Sequence, residues 1–106
     1  MTLQEWIERR ELEPPAALAD RLRTAVAATP DTAGMPLPDA AVEAALELLD
    51  TLLHGAGASR AGALGLLTAD ALMTYAFEAA ADEPDRLEAI AEEAMRRIAA
   101  AAADLQ

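Results

Sequence analysis

The sequence predicts an all-α fold, a compact bundle of about five helices, and three observations carry that expectation. Alanine and leucine supply 29 and 16 of the 106 residues, and both are strong helix formers. There is one each of Trp, Tyr and Phe, and with few β-branched residues the chain has little material for strands. Apolar residues recur at spacings of three and four along most of the chain, which is the period of an amphipathic helix. The length is that of one domain. We expect residues 1–106 to form a single helical domain in three parts: a two-helix N-terminal arm (1–28), a proline-rich linker (29–38) and a three-helix body (39–106).

The first helix opens on Thr2-Leu-Gln-Glu5, a capping box in which each of the two polar side chains satisfies a free backbone N–H. It places Leu3, Trp6 and Ile7 on one face and stops before Glu13-Pro14-Pro15, because Pro14 disfavours helical geometry in the residue before it. Pro15 suits the start of a second helix, whose stripe is Leu18, Leu22, Ala25 and Val26. Thr29 to Pro38 holds three prolines and a glycine, and is read as an extended, exposed connection able to pass the arm to a neighbouring subunit.

Asp39 is placed to cap a third helix running to about His54. Val42, Ala45, Leu46, Leu49, Leu52 and Leu53 take one side and Glu43, Glu47, Asp50 and Thr51 the other, with Gly55 as a left-handed terminator. Ser59 caps a fourth helix to about Ala81 that is apolar nearly all round; such a helix is normally surrounded, so it is placed at the centre. Gly62 and Gly65 in it cost about 1 kcal/mol each against alanine, which suits a close crossing by another helix. Asp82-Glu83-Pro84-Asp85 then supplies a stop and a new start. The fifth helix repeats Leu87, Ile90, Ala91, Ala94, Ile98 and Ala101 at bundle spacing, with Glu92–Arg96 and Glu93–Arg97 as i,i+4 ion pairs.

Charge narrows the classes of partner. The net charge is −11, from 19 acids against 8 bases, all of them arginine. Clustered positive charge is what phosphate backbones and anionic lipid require, so neither nucleic acid nor a membrane is an expected partner. The imbalance is local: residues 1–28 carry −1 and residues 29–106 carry −10. Arg9, Arg10, Arg21 and Arg23 of the arm are therefore expected to lie against acidic surface, of the same chain or of a second copy. With no cysteine there are no disulfides and no thiolate chemistry. No basic-then-apolar leader opens the chain, and the most apolar run, 61–77, is interrupted by Asp70, short of a bilayer span. A cytoplasmic location is expected.

Three sets of residues are candidates for a site. Asp70 lies mid-helix in the most apolar segment, and Thr74 and Glu78 follow at steps of four. An unpaired carboxylate is costly to bury, so this polar line is either ligand-facing or on the surface. Glu47, Asp50 and His54 share one face of the third helix, as in carboxylate-bridged metal sites of helical bundles, and equally as in a solvated stripe with its histidine at a favourable C-terminal position. Trp6, with Arg9 and Arg10 beside it, is a candidate interface anchor. No phosphate-binding loop can be read, since Gly55-Ala-Gly57 follows no strand and has no matching basic residue. No nucleophile–base set is legible, and no cofactor is expected.

Ala69-Asp70-Ala71-Leu72 running into Ala76-Phe77-Glu78 resembles a helix of the trans-isoprenyl diphosphate synthases. The paired aspartate-rich motifs that hold magnesium and diphosphate in that family have no counterpart here, so the resemblance carries no activity across. The leading expectation is a non-catalytic interaction or scaffold module, self-associating as a homodimer or bound to another protein. Two alternatives stand beside it: a small-ligand- or metal-binding bundle centred on Asp70, and an acidic protein that masks a basic partner surface.

Overall fold

The computed structural model describes residues 1–29, 34–55 and 59–104. Among them are five helices and no strand: α1 (Leu3–Glu8), α2 (Ala16–Ala27), α3 (Leu37–Leu53), α4 (Arg60–Ala79) and α5 (Pro84–Ala103). Residues 30–33 of the linker expected at 29–38 lie outside the described residues, as does Gly57.

The termini follow local chemistry. Thr2 Oγ1 accepts from the Glu5 amide at 3.1 Å, and Glu5 Oε2 accepts from the Thr2 amide at 3.3 Å, so the capping box is complete. Ser59 caps α4 by accepting from the Gly62 amide at 2.9 Å. α3 begins two residues before the expected Asp39: Pro36 is its N-cap and Pro38 lies in the first turn, where a missing N–H costs nothing. Asp39 is freed for an ion pair with Arg86 of α5. Gly55 is not left-handed, and no described glycine has positive φ. α3 instead closes with the Gly55 amide donating to the Leu52 carbonyl at 3.3 Å.

The centre of the molecule is the α3–α4 pair, the most extensive helix contact in the fold. Most of the residues that the two helices bury are small. Ala40, Ala41, Ala44 and Ala45 of α3 and Ala69, Ala76 and Gly65 of α4 are all buried, around a fully buried Leu72. Small side chains let two helices approach to the short end of the usual 8–10 Å range. The closeness is measurable at Gly65, where an added Cβ would lie 2.7 Å from Leu52 Cδ2. Thr68, buried in the same face, satisfies its hydroxyl by donating to the Leu64 carbonyl at 2.8 Å.

α2 lays Leu22 and Ala25 on α4, α1 adds Leu3 and Ile7, and α5 contributes Ile90 and Ala94. Eight of the sixteen residues in this core cluster are alanine. A radius of gyration of 13.4 Å matches a compact domain of this length, for which about 13 Å is expected. The arm thus folds against its own body.

α4 is central without being surrounded. One side carries Gly62, Gly65, Thr68, Ala69, Leu72, Tyr75 and Ala76 into the core, but Leu66 and Leu67 remain 50% and 60% exposed. Five helices, two of them short, cover only part of a twenty-residue rod. The element enclosed from two directions is the N-terminal half of α3, with α4 on one flank and α5 on the other. This explains Glu43: expected on the solvent side, it is half-buried and paired with Arg97 of α5. The expected pairs within α5 shift accordingly, and Glu93 pairs with Arg96 one step closer.

Packing at Gly65 has a testable consequence. Gly65→Leu should cost about 1–3 kcal/mol, the usual range for overpacking a core, in denaturant unfolding. Gly34→Leu, where nothing lies within 4 Å of the added Cβ, should stay within about 0.5 kcal/mol.

Candidate functional site

Two of the residue sets singled out from sequence meet each other. α1 ends at Glu8, and the turn at Arg9–Arg10 directs Arg10 onto α4. Its guanidinium donates to Glu78 in bidentate fashion, Nε to Oε2 at 2.9 Å and Nη2 to Oε1 at 2.8 Å. The same group lies over the Tyr75 ring at 4.2 Å and at 5.9 Å from the Trp6 ring, while Trp6 and Tyr75 meet edge to face at 5.9 Å. A planar guanidinium can hold a carboxylate in its plane and rings against its face at once. Arg10 and Glu78 are therefore an internal clasp that fastens the arm to α4. Arg23 pairs with Asp20 of its own helix, and neither Arg9 nor Arg21 forms an ion pair among the described residues.

The remaining candidates are spread out. Asp70 and Thr74 are exposed. Thr74 donates to the Asp70 backbone carbonyl at 2.9 Å rather than to its carboxylate, so the polar line from Asp70 to Glu78 runs along the surface. Glu47, Asp50 and His54 are exposed as well. The His54 ring Nδ1 lies 2.8 Å from the Asp50 carbonyl and 3.4 Å from its carboxylate. Among the described residues no three His, Asp or Glu side chains gather closely enough to hold a metal ion.

Among the described residues the surface has several concavities. A groove of about 490 Å³ lies between α1 and α2, bordered by Glu8, Glu13, Asp20 and Arg23. Another of about 460 Å³ separates α3 from α5, with Val42 and Ile90 at its base and the Asp39–Arg86 and Glu43–Arg97 pairs along it. A smaller one, about 170 Å³, is walled by Ala25, Ala28, Leu48 and Gly65, with Arg21 and Glu47 also lining it. None of these three contains Asp70.

The feature that sequence reasoning placed inside and the structure places outside is the free side of α4. At 3.6 residues per turn, Arg60, Ala63, Leu66, Leu67, Asp70 and Thr74 fall opposite Gly65 and Leu72, and all six are exposed. Arg60 and Asp70 each lack an ion-pair partner among the described residues. The signal was present in the glycines. Gly62 and Gly65 mark the side where a neighbour packs, and so consign Leu66 and Leu67 to the other. No described helix is long and apolar enough to cross a membrane, so this leucine face is not part of a bilayer-spanning helix.

Compared with known proteins, the chain matches no family model, no curated protein and no solved structure.

The clasp can be checked directly. Arg10→Ala should raise amide exchange across residues 1–28 and lower stability by about 1–2 kcal/mol, the scale of a charge-assisted hydrogen bond with a ring contact. Arg10→Lys should recover only part of this, since an ammonium cannot bridge both carboxylate oxygens while lying flat on a ring.

Proposed function

We propose that this chain is a small, acidic, non-catalytic interaction module of the cytoplasm whose principal partner is a second copy of itself. The observation that carries the reading is the free side of α4, where Leu66 and Leu67 stand 50% and 60% exposed on the central helix. Single exposed leucines are ordinary, whereas contiguous exposed apolar surface is a feature of association sites. A thin core adds support: half of the buried cluster is alanine, and each alanine buries little apolar area. Covering the leucine face would add the burial that the single chain lacks.

A second reading rests on charge. Residues 29–106 carry fourteen acids against four arginines, a surface suited to masking a basic partner. The two readings differ in the sign of their salt dependence. Two copies at −11 each repel, so self-association through apolar surface should tighten between about 50 and 300 mM salt as the repulsion is screened. Binding to a basic partner should weaken over the same range. Sedimentation velocity or native mass spectrometry from low to high micromolar protein reads the outcome. A dimer that tightens with salt supports the module. A chain that stays single throughout removes self-association and leaves the basic-partner reading.

A further inference from the structure

The free side of α4 carries opposite charges at its two ends, so that its reversed copy is complementary to it. From its N-terminal end it runs Arg60, Ala63, Leu66 with Leu67, Asp70: a cation, a small residue, two leucines, an anion. Arg60 and Asp70 are exposed and lack ion-pair partners among the described residues. Ten residues of helix separate them by about 15 Å.

A two-fold axis produces a self-complementary interface, in which residue i meets residue j and j meets i. Laid antiparallel across this face, a second α4 brings its Asp70 opposite Arg60 and its Arg60 opposite Asp70. Ala63 of each copy then meets Leu67 of the other, with Leu66 beside them at the centre. The charges that each chain leaves uncompensated are the ones that the second chain supplies.

From this arrangement, and resting on the self-association proposed above, we infer that the occupant of the α4 face is α4 of a second copy, antiparallel and two-fold related, with Leu66 and Leu67 at its centre and Arg60–Asp70 pairs at both ends. Charge complementarity selects this occupant over a basic partner. A uniformly basic surface would answer Asp70 but would place its own positive charge against Arg60. The small Ala63 lets the two rods close. The arm takes no part, because Arg10 and Trp6 are already engaged with Glu78 and Tyr75 of their own chain.

The test uses the intact chain and reads dimer dissociation by sedimentation and native mass spectrometry, with helicity checked by circular dichroism. Leu67→Glu should weaken the dimer at least tenfold at unchanged helicity, because the side chain is already exposed. Arg60→Glu and Asp70→Arg should each weaken it several-fold. Both are expected to fold: an acid in the first turn of a helix is favourable, and arginine is a good helix former. Mixed one to one, the two charge variants should form a heterodimer tighter than either homodimer, since one face is then doubly acidic and the other doubly basic.

Recovery in the mixture, together with loss in Leu67→Glu, establishes the antiparallel face. A wild-type dimer indifferent to Leu67→Glu, or a mixture no tighter than its components, overturns this interface while self-association by another surface stands. A wild-type chain single at high micromolar concentration overturns both.

Discussion

The closeness of α3 and α4 governs the rest of the molecule. Ala40, Ala41, Ala44 and Ala45 of α3 are buried, as are Leu72 and Ala76 of α4, and at Gly65 the backbone of α4 lies close against Leu52 of α3. That intimacy has a cost in area. Small residues bring backbones together while contributing little apolar surface of their own, so stability has to be gathered from the flanks. α2 supplies Leu22, α1 supplies Leu3 and Ile7, and α5 supplies Ile90. None of these helices wraps the pair completely, and the outer side of α4 is left open as a result.

The flanking elements are fastened by arginine as well as by apolar contact. Arg10 ties the arm to Glu78, and Arg86 and Arg97 tie α5 to Asp39 and Glu43 of α3. Each pair joins elements far apart in sequence, and the side chains involved are neither fully buried nor fully free. Such pairs contribute modestly to stability. Their geometric demands are stricter than those of a leucine contact, so they specify where a short helix docks even when its apolar face is narrow. The near-neutral arm and the acidic body met in the charge profile are reconciled here, though by a single arginine rather than by the four available.

Much of the fold was legible because helix periodicity and capping are local. The box at Thr2–Glu5, the cap at Ser59 and the stop-and-start before Pro84 needed only neighbours in sequence. What escaped was tertiary. Asp39 looked like a cap because it precedes an apolar run, and nothing local revealed that Pro36 would cap and Arg86 would claim the aspartate. Glu43 read as solvent-facing because the approach of α5 is not written in α3. Leu66 and Leu67 read as core because hydrophobicity names the residues to be covered without saying whether one chain can cover them all. In the polar sets, Glu78 belonged to the arm clasp and not to Asp70, a pairing that spans 68 positions.

The position of Trp6 gives the molecule a built-in optical gauge. It is the only tryptophan in the chain, half-buried, edge-on to the only tyrosine and beside the Arg10 guanidinium. All the indole emission therefore originates at the joint between arm and body. The leucine face of α4 holds no chromophore of its own, so events there leave this signal largely undisturbed. Wavelength and quenching of native fluorescence thus report the seating of the arm alone, and any change in assembly size that leaves them constant has taken place on another side of the protein.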